Sequence, residues 1–177
     1  GVSDRIVYHP KEGLLGYRDI GIYKPDPVSG YSLFAGGKGA SVSTDGQRLG
    51  ADLQNVQLLT VAPNGDFVMF DAAAVRKITA DGNVKTIAGK NALAPAPSTA
   101  DGRFHQISGI VEGPGQTLYL ADYASVRQLN PNDKSLKTIA GKAVTGYLNA
   151  NGTNALFRQF LKLSTDSAGN VLVADTG

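Results

Sequence analysis

The chain has 177 residues and a mass of 18.4 kDa, with 42% hydrophobic and 18% charged side chains, 22 glycines, no cysteine and no tryptophan. This is the composition of a loop-rich globular chain. It excludes a disordered polyelectrolyte, a coiled coil, a disulfide-stapled mini-protein and any thiolate or Cys-ligated zinc chemistry. Seventeen basic against fifteen acidic side chains leave a net +2, too small a bias to argue for nucleic acid or an anionic membrane, and no apolar run approaches the roughly 20 residues of a membrane-crossing helix.

Gly1-Val2-Ser3-Asp4 lacks the basic and apolar regions of a secretory signal, and the chain does not begin with Met, so a processed product, a tag remnant or an excised piece is expected. The absence of cysteine fits an exported protein, and an extracellular or periplasmic location is the expectation. Within residues 1–18, Arg5-Ile6-Val7-Tyr8 reads as an extra strand or an extension, with 11–17 as a long loop. Residues 19–23, a turn over 25–30, and the run Tyr31-Ser32-Leu33-Phe34-Ala35-Gly36 read as the last two strands of a sheet. Residues 1–43 are therefore expected to form an outer half-sheet with an N-terminal extension.

Residues 44–90 read as a complete four-stranded unit. Val56–Val61 leads through Pro63-Asn64-Gly65-Asp66 to Phe67–Asp71. A small-residue turn leads to 75–79, and Asp81-Gly82 to 84–88. Short apolar runs cut by such tight turns make antiparallel hairpins. Residues 91–142 repeat the pattern, and 143–177 carry its first half. Val84-Lys85-Thr86-Ile87-Ala88-Gly89-Lys90 returns as Leu136-Lys137-Thr138-Ile139-Ala140-Gly141-Lys142, 52 positions on. Leu53, Phe104 and Phe157 each stand 18 positions before an aspartate: Asp71, Asp122 and Asp175. A four-stranded sheet repeated at this period predicts an all-β chain, a β-propeller of four-stranded antiparallel blades.

The repeated residues resemble the NHL-repeat family of propellers. The resemblance rests on Asp101-Gly102-Arg103-Phe104, Leu118-Tyr119-Leu120-Ala121-Asp122, Val126-Arg127-Gln128-Leu129, Lys137-Thr138-Ile139-Ala140-Gly141 and, most closely, Gly169-Asn170-Val171-Leu172-Val173-Ala174-Asp175. It covers most of residues 45–177 and departs at Phe70-Asp71-Ala72-Ala73. Two halves and two wholes make three blades. Such a chain is expected to be a fragment of a longer propeller, or to close a six-blade ring by pairing its complementary halves with those of a second copy. The family includes enzymes that resemble peptidyl-amidating and streptogramin lyases, which rely on histidines and acids near the channel. His9 and His105 are the only histidines in the sequence, too few to carry those residues over or to build a three-histidine zinc site.

In a propeller the inner strands line a channel, and its mouth is the usual place for binding. Aligned on Leu53, Phe104 and Phe157, the side chains Gln54, His105 and Arg158 fall in one ring, with Asn55, Gln106 and Gln159 next. These six polar residues at the start of apolar strands are the candidate ligand-binding set. Lys90, Arg103, Tyr123 and Lys142 are the candidate rim residues; Lys38, Arg48 and several further tyrosines accompany them. The recurring aspartates end the second strand of each unit, where a carboxylate can accept hydrogen bonds from the amides of the following turn, so they read as architecture. Gly36-Gly37-Lys38-Gly39 does not have P-loop spacing, and no Gly-x-Ser-x-Gly elbow is present.

The reading is a binding or scaffold module for a protein or small polar ligand, with no cofactor, no metal and no catalytic residue assigned. The competing class is a lyase or hydrolase with a metal-assisted site at the channel mouth, using His105 and Arg158. Self-association into a ring and binding of RNA to a basic face are the remaining partner readings, the latter disfavoured by the weak charge and the few interleaved aromatics.

Overall fold

Antiparallel hairpins account for every long run of regular structure in the computed structural model, which describes residues 5–39, 42–89, 104–159 and 161–175. The chain divides into two compact units, residues 1–94 and 95–177. The first holds two sheets. Strands β1 (Arg5–His9), β2 (Gly13–Arg18), β3 (Gly21–Asp26) and β4 (Gly30–Gly36) pair in sequence order. Strands β5 (Gly46–Gln47), β6 (Val56–Val61), β7 (Phe67–Asp71), β8 (Ala74–Ile78) and β9 (Asn83–Gly89) form a second sheet in the order β5-β9-β8-β7-β6. In the second unit β10 (Ile107–Glu112), β11 (Leu118–Asp122), β12 (Ser125–Leu129) and β13 (Leu136–Gly141) form a third sheet, and β14 (Lys162–Thr165) pairs with β15 (Val171–Ala174).

The N-terminal expectation needs correction. Residues 13–18 are a strand, not part of a loop, and β1 pairs with it from Arg5↔Tyr17 to His9↔Gly13. The first sheet is therefore complete, with four strands where an outer pair was expected. Residues 5–18 thus occupy the place beside β3 that the two-chain ring expectation left open. The strand was hidden because both faces of β2 are apolar. Leu15 and Tyr17 are buried while Leu14 is half exposed, so no polar alternation marks it. The β1–β2 turn is fixed by His9. Its Nδ1 accepts from the amides of Lys11 and Glu12, its Nε2 donates to Gly65 O at 2.8 Å, and its ring stacks on Phe67.

Leu15, Tyr17, Ile22 and Phe34 of the first sheet interlock with Val56, Leu59, Phe67, Met69, Ile78 and Val84 of the second in one apolar core. In the second unit Ala121, Val126 and Leu161 pack with Phe157, Leu163 and Val173. Gly109 lets β14 approach closely: a side chain there would meet the Leu163 amide nitrogen at 3.3 Å and Leu161 O at 3.4 Å.

The repeated Ala-Gly pair has a steric cause. Gly36, Gly89 and Gly141 have φ of 77°, 118° and 74°. A Cβ at each would lie 2.3–2.4 Å from the carbonyl oxygen of Ile20, Ala73 or Ala124 in the facing hairpin turn. Only glycine combines that backbone conformation with that approach. Gly89→Ala or Gly141→Ala should therefore cost roughly 2 kcal/mol or more, read as a lowered urea midpoint; an unchanged midpoint would contradict this account.

Carboxylates at the hairpin turns are held below their ordinary range. The Ser29 amide and hydroxyl bind Asp26; Thr79 and Asn83 bind Asp81; Ser135 binds Asp133; Asn170 binds Asp166. The Lys24 ammonium lowers Glu12 in the same way. A folded-state pKa below the unfolded one contributes stability above the ordinary value and loses it as pH falls through the folded value. The urea midpoint should be flat above about pH 5 and fall steadily below about pH 4; a midpoint that rises on acidification would show the sign to be wrong.

Candidate functional site

The second and third sheets each hold a buried ion pair, at the same place in the repeat. Asp71 and Arg76 are both fully buried, with Arg76 Nη1 donating to Asp71 Oδ2 at 2.8 Å. They stand five positions apart in sequence, as do Asp122 and Arg127, whose Nη1–Oδ2 distance is also 2.8 Å. The other carboxylate oxygen holds the segment that leads into the sheet. Asp71 Oδ1 accepts from the amides of Gln54 at 2.9 Å and Asn55 at 2.7 Å, and Asp122 Oδ1 from those of His105 at 2.8 Å and Gln106 at 2.9 Å. Asp175 accepts from the Arg158 amide at 3.1 Å.

The aspartates are thus architectural, but their amide partners lie sixteen or seventeen residues upstream and not in the following turn. Sequence reasoning also missed Arg76 and Arg127. Their signal was the repeated Val-Arg five residues after each aspartate, since a buried guanidinium needs a carboxylate. Arg76 donates four of its N–H groups, to Asp52 O, Thr44 O, Asp45 and Asp71.

Among the predicted ligand-binding residues, the backbone of Gln54, Asn55, His105, Gln106 and Arg158 is therefore committed to this clamp. Gln54 and Asn55 belong to the first unit and the other four candidates to the second. Asn55, His105, Gln106 and Arg158 are exposed, while Gln54 and Gln159 are half buried. Gln159 Nε2 donates to the Tyr123 hydroxyl at 2.9 Å. Lys90 and Arg103 lie outside the described residues. In the first unit Lys38 donates to Gly50 O, and the Arg48 guanidinium lies 4.3 Å from the Phe34 ring centroid, so both serve packing.

The second unit brings His105, Tyr123 and Lys142 together around a cavity of about 210 Å³, over the Asp122–Arg127 pair. Thr138, Thr153 and Ser125 contribute to its wall, and Arg158 is not part of it. Tyr123 reaches the cavity because it occupies the hairpin turn with φ 58°, held there by its amide donating to Gln106 O. Ser125 Oγ is spent on Asp122 O at 2.8 Å. His105 Nδ1 stands 3.5 Å from Asp122 Oδ2, the oxygen that Arg127 already engages. The Asp122 carboxylate is engaged by Arg127, and the Lys142 ammonium has no ion-pair partner among the described residues, so Lys142 brings a cation to the described lining of the cavity. Among the described residues no three His, Asp or Glu side chains converge as metal ligands, and no helix is long and apolar enough to cross a membrane.

No family model matches the chain, and no curated protein does. Solved structures do. A protein of unknown function from Bacteroides thetaiotaomicron is 18% identical with a TM-score of 0.66, over 97% of this chain and 44% of that one. An auxiliary nutrient binding protein from Bacteroides ovatus is 17% identical with a TM-score of 0.63, over 96% of this chain and 44% of that one. The extracellular domain assigned to a hybrid two-component system of B. thetaiotaomicron is 11% identical with a TM-score of 0.52, over 100% of this chain and 27% of that one. At these identities the likeness is one of fold, and the chain spans less than half the length of each.

Asp122→Asn should cost about 3–5 kcal/mol, because Arg127 is left buried without its counter-charge. Replacing both residues with leucine should recover part of that loss. Equal destabilisation by the single and double replacements, in urea melts, would contradict the pairing. The conclusion for the fold is an all-β chain of four-stranded antiparallel sheets, similar to longer Bacteroides proteins.

Proposed function

We propose that the chain is part of an NHL-like β-propeller that acts as a binding module for a small polar ligand, held in the cavity of the second unit. In this reading the three complete sheets and the β14–β15 pair are consecutive blades, and further blades complete the ring. The span of under half of the similar structures supports that size. The observation that carries the binding role is the composition of the cavity wall. Tyr123, Thr138 and Thr153 offer hydroxyls and Lys142 a cation, while the one carboxylate among the described lining residues, Asp122, is engaged by Arg127 and two amides. Such a wall recognises a polyol or an anion, and its described residues hold no carboxylate spare for proton transfer. An exported location is supported by the nutrient-binding and extracellular descriptions of two of the similar proteins.

The competing lyase or hydrolase reading draws on the 3.5 Å approach of His105 to Asp122. Saturation-transfer NMR with neutral and acidic monosaccharides, glucose and glucuronate first, tests the choice. Lys142→Ala should weaken binding of the acidic sugar about tenfold, as loss of one charge-assisted hydrogen bond does. His105→Ala should leave binding within a few-fold. Absence of saturation transfer from the unmodified protein to either sugar would contradict the proposal, and turnover abolished by His105→Ala would favour the enzyme.

A further inference from the structure

The β14–β15 pair repeats the first half of the second and third sheets without their second half. Strand β7 is flanked by β6 and β8, and β11 by β10 and β12, whereas among the described residues β15 is bordered by β14 alone. Val173, Ala174 and Asp175 correspond to Leu120, Ala121 and Asp122. Ala121 and Asp122 are buried, while Ala174 and Asp175 are exposed. The clamp here is half made. Asp122 binds two amides through one oxygen and Arg127 through the other. Both oxygens of Asp175 instead share the Arg158 amide at 3.1 Å, and no guanidinium reaches them among the described residues.

The loop that leads into this pair is shaped like the one that leads into the second sheet. The bridge Leu148↔Leu156 matches Thr44↔Asp52, and the 3₁₀ turn over 152–154 matches that over 48–50. In the second sheet this loop carries β5, where Gly46 and Gln47 pair with Val84 and Asn83 on the outer edge of β9. Asp45, just before it, accepts from the Thr86 amide at 2.9 Å and the Thr86 hydroxyl at 2.7 Å. Asn149, Ala150 and Asn151 are the counterparts of Asp45, Gly46 and Gln47. All three are exposed and border no strand among the described residues.

The geometry points to a docking site for an antiparallel β-hairpin that carries an arginine on its first strand. That strand adds to the outer edge of β15 and sets its guanidinium on Asp175. The arginine stands opposite Val173, as Arg76 stands opposite Met69 and Arg127 opposite Leu120. The second strand of the hairpin lies between the first and residues 149–151. Three observations choose this occupant. Both sheets with a complete clamp hold such a hairpin at this place, β8–β9 and β12–β13. The edge of β15 supplies backbone donors and acceptors, the basis of recognition by strand addition. The Asp175 carboxylate lacks the counter-charge of its two equivalents, and a guanidinium matches a carboxylate best. A second copy brings no such hairpin, since β3–β4, β8–β9 and β12–β13 are each paired within their own sheet. Hairpin docking does not require the His105 cavity to bind a ligand.

The test uses the full chain and a synthetic copy of its own Ser125–Gly141 hairpin, with Arg127 kept or replaced as Arg127→Gln. By NMR titration the arginine peptide should bind about tenfold more tightly than the glutamine one. Amide exchange in residues 171–174 and 150–151 should slow on binding, and Asp175→Asn in the full chain should erase the preference. The same hairpin joined directly after Gly177 falls in register, because Ser125 follows Asp122 by three positions. Joining raises its effective concentration, so residues 171–174 should be protected there even where the free peptide binds too weakly to titrate. Absence of protection in the joined form, or equal effects of the arginine and glutamine hairpins, would overturn the assignment. So would a concentration-dependent doubling of mass that protects residues 171–174 without any peptide, which would make the occupant a second copy.

Discussion

A buried carboxylate shared between a guanidinium and two backbone amides is the constraint on which the second and third sheets depend. Asp71 sits at the end of β7, where its own strand stops, and binds Gln54 and Asn55 just before β6 starts. One side chain therefore fixes where the first strand begins, relative to where the second ends. Arg76, five residues on, neutralises that charge and ties down Thr44, Asp45 and Asp52. Removing an aspartate from water is costly unless every lone pair is used and the charge is balanced. Here Ser43, Arg76 and two amides do both. Asp122 and Arg127 repeat the arrangement in the second unit.

The same clamp explains what sits beside it. Ala72 and Tyr123 occupy left-handed turn positions and are held by amide bonds to Asn55 O and Gln106 O. At Ala72 the turn carries nothing to the outside. At Tyr123 it carries a phenol into a cavity that also gathers His105 and Lys142. A single architectural device thus presents different side chains from one sheet to the next, and chemistry varies while the backbone does not.

Much of this was legible in the sequence, and the parts that were not have physical reasons. The eighteen-residue spacing from Leu53, Phe104 and Phe157 to an aspartate fixed the repeat, and the Asn-Gly and Asp-Gly turns fixed the hairpins. Strand β2 escaped because Leu14, Leu15 and Tyr17 give it two apolar faces. The arginine partners escaped because a lone Val-Arg looks like an ordinary half-exposed strand until the aspartate is known to be buried. Of the predicted site residues, His105, Tyr123 and Lys142 came together, with Gln159 bonded to Tyr123. Gln54 and Asn55 are engaged chiefly through their backbone, a role that no side-chain pattern announces.

The clamp is tested most directly by hydrogen exchange at the amides it captures. By NMR, the amides of Gln54, Asn55, His105 and Gln106 should exchange as slowly as those at the centres of β7 and β11, although Asn55, His105 and Gln106 have exposed side chains. Exchange at the rate of an unprotected loop would mean that the carboxylates do not hold these segments, and that the sheets are ordered by something else.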